Sequence, residues 1–403
     1  MTRLRADGFN GSSEHIACIA GMFNMGIIMV MKSRFGKVIS AALAATAMLA
    51  AATPANAVTF NLTITAGTSA QAIAGFNAAA ARWAAIFTDN VTIDLTVGTA
   101  TLGAGILGQA GSIRSSFTYS AFKTALTGDI TSATDATAVA NLAAGAALPM
   151  MINYTSDNPN GAGSATSYLD TTGANNTTIR MTNANAKALG LTPTLGTNTL
   201  CVGNCDAGIQ FSDAFAFDYD PSDGITAGQY DFVGVATHEI GHALGFISGV
   251  DVLDGNSSTS FFTADQFTFV NTLDVFRYSA LSAGTAGGVS DFSAGNSNKY
   301  FSIDRGVTGQ SLLFSTGRVH GDGQQASHWK DSLGIGIMDP TAGQGELLAI
   351  SANDIRAFDV IGWNLRTAAP AVPEPGTWMM MLAGFGLVGL ARRRRPAGVV
   401  ATV

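Results

Sequence analysis

Two histidines and a glutamate fall within five residues, in His238-Glu239-Ile240-Gly241-His242. Residues four apart lie on one face of a helix, so both imidazoles can reach one ion about 2 Å from each ring. Glu239 lies beside them, off the metal but close enough to take a proton from a metal-bound water. The motif therefore predicts a zinc site with His238 and His242 as ligands and Glu239 as general base.

A catalytic zinc also needs a third protein ligand and an open position for water. Gly245 extends the motif to H-E-x-x-H-x-x-G, which resembles the metzincin peptidases. In that family a histidine or aspartate usually follows three residues after the glycine, and this chain has Ser248 there. The third ligand must come from elsewhere, and Asp251, His320 and His328 are the candidates.

We favour His328 because of the residues that follow it. His328-Trp329 precedes Met338 by ten residues, and Met338 lies in the segment GIMDP, ahead of a predicted helix. This order resembles the leishmanolysin branch of the metzincins, in which a long insertion separates the glycine from the third histidine. Over roughly residues 231–365, the resemblance implies that His328 is the third zinc ligand and that Met338 forms the hydrophobic floor under the metal.

The resemblance also implies a fold and an activity. We expect an α+β, zincin-like catalytic domain over residues 58–366, in two lobes. The N-terminal lobe, 58–245, would carry the active-site helix, and the C-terminal lobe, 246–366, would carry a long β-rich insertion between the second and third ligands. The expected activity is that of a secreted zinc endopeptidase that uses a Glu-assisted, zinc-bound water. A non-catalytic surface or matrix protein on the same scaffold is the alternative, and a zinc hydrolase of non-peptide bonds also stays open.

Periodicity predicts the elements that must position these side chains. The active-site helix runs over 231–244, with Asp231 as N-cap and Gly245 as its left-handed end. Other helices are predicted over 69–89, 131–148 and 351–361, strands over 91–97, 150–154 and 215–219, and β-hairpins with loops over 248–327. By analogy to zinc peptidases, we expect the strand over 215–219 to form the upper rim of the cleft and to pair with extended substrate.

The N-terminal region predicts export. From Met31 the chain has a basic start, an apolar middle and a small-x-small end at Ala55-Asn56-Ala57, which is typical of a signal peptide over 31–57. Cleavage there would leave Val58 as the first mature residue. We interpret residues 1–30 as an upstream extension from a mis-assigned start codon, outside the folded protein.

The C-terminal region predicts sorting. Residues 372–375 read VPEP, an apolar run follows over 378–390, and four arginines end it at 392–395. This layout resembles the PEP-CTERM signal of Gram-negative bacteria, which implies an exosortase-type processing enzyme, transient membrane contact through the tail 367–403, and delivery to the cell surface or extracellular matrix. A permanent single-span anchor is the alternative.

The net charge limits the classes of binding partner, and the cysteines predict a disulfide. Residues 58–366 hold 12 Lys and Arg against 25 Asp and Glu, so their net charge is −13. This negative charge argues against nucleic acid and anionic membranes as partners. We therefore expect extracellular proteins or peptides as substrates. In an exported chain Cys201 and Cys205 predict a small disulfide loop, with a thiolate cap on the zinc as the minor alternative.

An acidic stretch over residues 218–224 (DYDPSDG) raises the question of a second metal. Clusters of carboxylates with a glycine can hold Ca²⁺. The stretch lacks the downstream glutamate of a twelve-residue calcium loop. We therefore favour a solvated acidic turn over a calcium site.

Overall fold

The structure is a computed structural model, and it describes residues 2–6, 57–256 and 262–366. The predicted sorting tail, almost all of the predicted signal peptide and residues 7–30 lie outside the described residues. The residues that are described up to Leu365 belong to one compact unit. Helices and several sheets are mixed along it, which confirms the α+β class.

In chain order, the strands of the described residues are β1 (Thr2–Ala6), β2 (Thr59–Ile64), β3 (Thr92–Ala100), β4 (Ile106–Ser112), β5 (Arg114–Thr118), β6 (Met150–Ile152), β7 (Tyr168–Asp170), β8 (Thr178–Thr182), β9 (Ala207–Ser212), β10 (Phe217–Asp218), β11 (Tyr230–Asp231), β12 (Arg277–Tyr278), β13 (Ser290–Asp291), β14 (Lys299–Phe301), β15 (Leu313–Phe314) and β16 (Thr341–Ala342).

The α-helices of the same residues are α1 (Ala70–Ala84), α2 (Tyr119–Gly128), α3 (Ala133–Ala140), α4 (Ala174–Thr177), α5 (Asn183–Ala188), α6 (Phe232–Leu244), α7 (Val250–Asn256), α8 (Ala280–Ala283) and α9 (Ala352–Val360). Short 3₁₀ turns cover Pro221–Asp223, Ala264–Gln266 and Leu273–Phe276.

The main sheet has the strand order β16-β1-β4-β9-β3-β2. Strands β2, β3 and β9 run parallel, whereas β4 runs antiparallel to β9 and to β1. Helices α1 and α6 pack on each other, and α6 lies against β4. Helix α6 is therefore held between α1 and the antiparallel part of the sheet.

Four predicted elements are confirmed, with shifted ends. Helix α1 begins at its cap Ser69, whose hydroxyl accepts from the Ala72 amide, but it ends at Ala84 instead of Asp89. Strand β3 begins at Thr92, one residue after the predicted start of 91–97, and continues to Ala100. Helix α9 and the strand over 150–154 also form, the latter only over Met150–Ile152.

The helix predicted over 131–148 is wrong in its second half. Helix α3 ends at Ala140, and the chain then turns through Gly145, whose φ of 80° is left-handed. Alanine-rich sequence favours a helix, but a glycine in that conformation breaks the helical hydrogen-bond ladder. The alanines after Asn141 therefore form turns instead of a helix.

The insertion predicted to be β-rich holds few β residues. Between Ser248 and Ser327 the described strands are two or three residues long, and α7 lies at the start. Side-chain hydrogen bonds stabilise this region in place of the expected hydrogen bonds between long strands. The Asp274 carboxylate accepts from the Ser248 hydroxyl and from the amides of Gly249 and Asn271. Aromatic and β-branched residues here pack in the core without pairing as long strands.

The predicted strand over 215–219 is also shorter and lies elsewhere than expected. Only Phe217–Asp218 is a strand, and it pairs in parallel with β11 in a separate two-stranded sheet. The Phe217 ring packs against Phe232 at the start of α6. In the main sheet, β4 contacts α6 most extensively, whereas Phe217–Asp218 belongs to another sheet. That residues 215–219 form the cleft rim stays a prediction.

Candidate metal centre

Helix α6 places the three motif residues, and its bounds confirm the sequence prediction. Asp231 caps it, with its Oδ1 accepting from the Gly234 amide at 2.7 Å. The helix is buried along its whole length. Two indoles fix its backbone from outside: Trp83 Nε1 donates to the Thr237 carbonyl and Trp363 Nε1 donates to the Leu244 carbonyl, each at 2.9 Å. Both ends of the motif are thus held by tertiary hydrogen bonds.

Gly245 ends the helix as predicted, with a φ of 123° that few other residues adopt. The turn brings the chain back toward the helix, so that the Phe246 carbonyl lies 2.7 Å from His242 Nδ1. The glycine therefore does more than stop the helix, because the turn it allows orients one ring of the motif.

His328 joins the two histidines of the helix, although it is 86 residues from His242. The Nε2 atoms of His238 and His242 lie 3.0 Å apart, and those of His242 and His328 lie 3.1 Å apart. All three side chains are fully buried. Within the described part of the chain, these three residues form the one group of His, Cys, Asp and Glu side chains arranged to hold a metal.

The hydrogen bonds of the rings show which nitrogen carries the proton. The Nδ1 atoms of His238, His242 and His328 face the carbonyls of Ile337, Phe246 and Gln325 at 2.7, 2.7 and 3.2 Å. A carbonyl can only accept, so each Nδ1 must donate.

In neutral rings the Nε2 lone pairs then face one another at 3.0–3.1 Å. Burial lowers the pKa of His238 to about 4 and those of the other two histidines well below their usual value, so the rings are neutral at pH 7. Three converging lone pairs repel unless a cation lies between them. The donor set fits a zinc ion, which takes neutral imidazoles whose other nitrogen donates to a carbonyl.

Glu239 is fully buried beside this group. Its Oε1 accepts from the Leu4 amide at 3.4 Å, and its Oε2 has no hydrogen-bond partner among the described residues. Burial raises the pKa of Glu239 well above its usual value. A buried carboxyl with a free oxygen and a raised pKa is suited to accepting and returning a proton.

Met338 packs against α6, and its role as the floor under a metal stays a prediction. A Cβ on Gly241 would come within 2.5 Å of Met338 Sδ, so the methionine packs directly against the helix between the two histidines. The turn is fixed by Asp354 in α9. That carboxylate accepts from the Ile337 amide at 2.8 Å, from the Met338 amide at 3.4 Å, and from the Trp329 indole at 2.8 Å.

The other two candidate ligands lie outside the group. Asp251 accepts from the Ala326 amide and the Ser327 hydroxyl, so it supports the segment that carries His328. Burial raises the pKa of Asp251 to about 6. His320 stacks on Tyr154, with ring centroids 4.5 Å apart.

The remaining predicted residues lie in other parts of the fold. Cys201 and Cys205 are joined in a disulfide, so neither offers a thiolate. In the acidic turn, Asp218 Oδ2 accepts from the amide and hydroxyl of Thr226, and Asp220 Oδ1 accepts from Ser222. These carboxylates cap their own turn, which is the arrangement we favoured, and calcium stays an untested prediction.

Sequence reasoning missed two residues of the site. Asp354 could have been found from the pattern Ser351-x-x-Asp354, which is a capping box at the start of α9. Leu4 carried no such signal, because residues 1–30 were expected to lie outside the fold.

Comparison with known proteins identifies the C-terminal tail. Residues 371–395 match the PEP-CTERM protein-sorting motif. No curated protein and no solved structure matches the chain. Among the described residues no helix is long and apolar enough to cross a membrane, and the apolar run over 378–390 lies outside them. The motif indicates export and cell-surface sorting in bacteria, and it implies recognition by an exosortase-type processing enzyme.

Proposed function

We propose that the chain is a surface-sorted zinc endopeptidase, in which His238, His242 and His328 hold the metal and Glu239 is the general base. The observation that carries the proposal is the convergence of three imidazole Nε2 atoms beside a buried carboxyl whose Oε2 has no hydrogen-bond partner in the part of the chain that the structure describes. A structural zinc site has no need of a base, so Glu239 favours catalysis over the alternative of a non-catalytic matrix protein.

Each residue of the proposed site has its own role in the reaction. When bound, zinc supplies Lewis acidity that polarises a water and the scissile carbonyl. Glu239 takes the proton from the attacking water and passes it to the leaving amine. The carbonyls of Ile337 and Phe246 keep the Nε2 lone pairs of His238 and His242 directed inward, and Met338 packs beneath them.

The finer assignment, a leishmanolysin-like metzincin with a zincin fold, belongs to the same proposal. Three features support it: the H-E-x-x-H-x-x-G helix that ends at Gly245, the distant His328, and the methionine that packs under the helix. The sheet, with parallel strands and an antiparallel β4 against α6, is compatible with it. Delivery to the surface of a Gram-negative bacterium is part of this proposal.

The decisive experiment compares the full chain with its Glu239→Gln variant. Both should bind one equivalent of zinc, because the carboxyl is not a ligand. Hydrolysis of casein should fall by at least about a thousandfold, since the variant cannot take the proton. Zinc bound at one equivalent with no hydrolysis of any protein tested by the unaltered chain would favour the non-catalytic alternative. Casein cleavage at equal rates by both proteins would overturn the assigned base.

A further inference from the structure

A polar pocket lies directly beside the candidate metal centre. Its walls come from the end of β4, the start of β5, the turn after α6, the start of α7 and the segment before His328. Its volume is about 220 Å³, whereas pockets for free small molecules begin at roughly 300 Å³. The pocket is therefore of a size to take one side chain of a larger ligand.

Two residues of the pocket contact two of the candidate metal ligands. The Ser112 hydroxyl donates to the His242 carbonyl at 3.4 Å. The Gln325 carbonyl accepts from His328 Nδ1 at 3.2 Å. The pocket thus shares its walls with the candidate metal centre, so a peptide bound at the metal can place a neighbouring side chain in the pocket.

The pocket contains one cation whose hydrogen-bond donors are unused. Arg114 lines the pocket from β5, and in the described part of the chain no hydrogen bond or ion pair engages its guanidinium. Burial lowers the pKa of Arg114 from its usual value, but an arginine in a protein stays charged at pH 7. A half-buried cation without a partner has lost part of its hydration and gained no acceptor in return. Arg114 therefore favours a ligand that brings acceptor oxygens into the pocket.

The one carboxylate among the lining residues does not meet this need. Asp251 Oδ1 accepts from the Ala326 amide, and Asp251 Oδ2 accepts from the Ser327 hydroxyl. The charge of Asp251 acts on Arg114 from a distance, but the two side chains form no ion pair. A basic side chain in the pocket would meet the charge of Arg114 and two oxygens that already accept. A carboxylate would instead meet a planar fork of free N–H donors, which it can bind through two parallel hydrogen bonds.

We propose that this pocket is a subsite for an acidic substrate side chain, Asp or Glu, and that Arg114 determines this specificity. The inference rests on the proposed function, because it names the class of peptide that the zinc endopeptidase cleaves. The net negative charge of residues 58–366 opposes the approach of acidic peptides. The preference therefore has to come from the local contact with Arg114.

The test first measures binding to the zinc-loaded full chain with Glu239→Gln, so that no peptide is cleaved. Short fluorescent peptides carry a single Glu, moved through each position in turn, and a matched series carries Gln instead. Glu and Gln have the same shape and differ in charge. We expect the Glu peptide to bind at least about tenfold more tightly than its Gln partner at one position, as measured by anisotropy.

Three variants assign that difference to one side chain. Arg114→Gln should abolish it, and Arg114→Lys should keep part of it, because lysine keeps the charge without the planar fork. Arg180→Gln is the matched control, because it removes the same charge from the paired strand β8, outside the pocket lining. The full difference should survive in this control. Melting curves show that each variant is folded, and Arg114→Lys keeps the test decisive if Arg114→Gln does not fold.

Three outcomes would overturn the subsite. The first is equal affinity for the Glu and Gln peptides at every position. The second is a preference for Glu that survives Arg114→Gln unchanged. The third is a preference lost equally in Arg114→Gln and Arg180→Gln, which would trace the effect to net charge.

Cleavage separates this inference from the function on which it rests. With Glu239 intact, kcat/KM for the preferred Glu peptide should exceed that for its Gln partner by at least about tenfold. Binding that depends on Arg114, with no cleavage of any peptide, would sink the peptidase proposal and leave the subsite standing. Cleavage of both peptides at one rate, with equal binding, would remove the subsite and leave the peptidase.

Discussion

His328 is the third histidine of the candidate metal centre. Its ring converges with His238 and His242, whereas His320 stacks on Tyr154. Losing a group that only supports a ligand costs about 10–100-fold in metal affinity, so losing a ligand should cost more. We expect His328→Ala to lower zinc affinity by at least about a hundredfold and His320→Ala to leave it unchanged.

The measurement is zinc content after dialysis against a competing chelator, with metal-free melting curves to show that both variants fold. The two substitutions remove the same side chain from buried or half-buried positions, so each controls for the other. Zinc loss from His320→Ala but retention by His328→Ala would reverse the ligand assignment.

At the residue scale, the sequence predicts those site residues that lie close together in the chain. His238, Glu239 and His242 are visible because one helical turn brings them together, and that needs only local spacing. His328 needed the resemblance, since no spacing rule links residues that are 86 positions apart. The direction of each ring was beyond prediction, because it depends on carbonyls of Ile337, Phe246 and Gln325 that the fold supplies.

Helix α9 contacts the segment beside the candidate metal centre through one side chain at its start. Asp354 accepts from the amides of Ile337 and Ser351 and from the Trp329 indole, all within 2.8 Å, and from the more distant Met338 amide. A buried donor left without a partner costs about 1–3 kcal/mol. We expect Asp354→Ala to lower the free energy of unfolding by at least about 3 kcal/mol, and to weaken zinc binding as the methionine turn loosens.

Asn353→Ala is the matched control for this prediction. Asn353 precedes Asp354 in the same helix and donates one half-buried hydrogen bond, to the Ile335 carbonyl at 3.0 Å. Its loss should cost about 1 kcal/mol and leave zinc affinity unchanged. Urea unfolding and zinc titration measure both quantities, and similar losses from the two variants would show that Asp354 has no special role.

At the element scale, helices and strands were predicted correctly where the hydrophobic periodicity extends over enough residues to be recognised. Helices α1, α6 and α9 show helical spacing over nine or more residues. Strands such as β10 and β16 have two residues each, too few for an alternating pattern. Such strands are set by their partners in the sheet, which is why the strand predicted over 215–219 forms only at Phe217–Asp218.

At the scale of the whole molecule, the sheet order was beyond sequence reasoning. The neighbours of β4 are β9 and β1, which are separated from it by about a hundred residues in either direction. Chain pattern alone cannot show that residues 2–6 enter this sheet, because their partners β4 and β16 are distant in the sequence. The composition did predict a large core, and the described residues contain one continuous cluster.

A cluster of carboxyls joins three distant segments and makes the stability of the fold depend on pH. Asn364 Nδ2 donates to Asp89 at 3.2 Å and to Asp129 at 2.9 Å. Burial raises the pKa of Asp89 to about 6 and that of Asp129 to about 7, from 3.8. Between about pH 4 and pH 7 the folded protein holds protons that the unfolded chain has released. The stability from these groups is therefore present at low pH and is lost as pH rises through that window.

Asp129→Asn isolates this effect from the histidines of the candidate metal centre, whose lowered pKa values make stability change with pH in the opposite direction. The amide keeps an oxygen for Asn364 and carries no charge. We expect the variant to melt at a higher temperature than the unaltered chain at pH 8 and at the same temperature at pH 5. Asp223→Asn removes the same charge from an exposed turn and should show no such difference. A gain at pH 8 shared equally by both variants would trace the effect to net charge instead of the buried cluster.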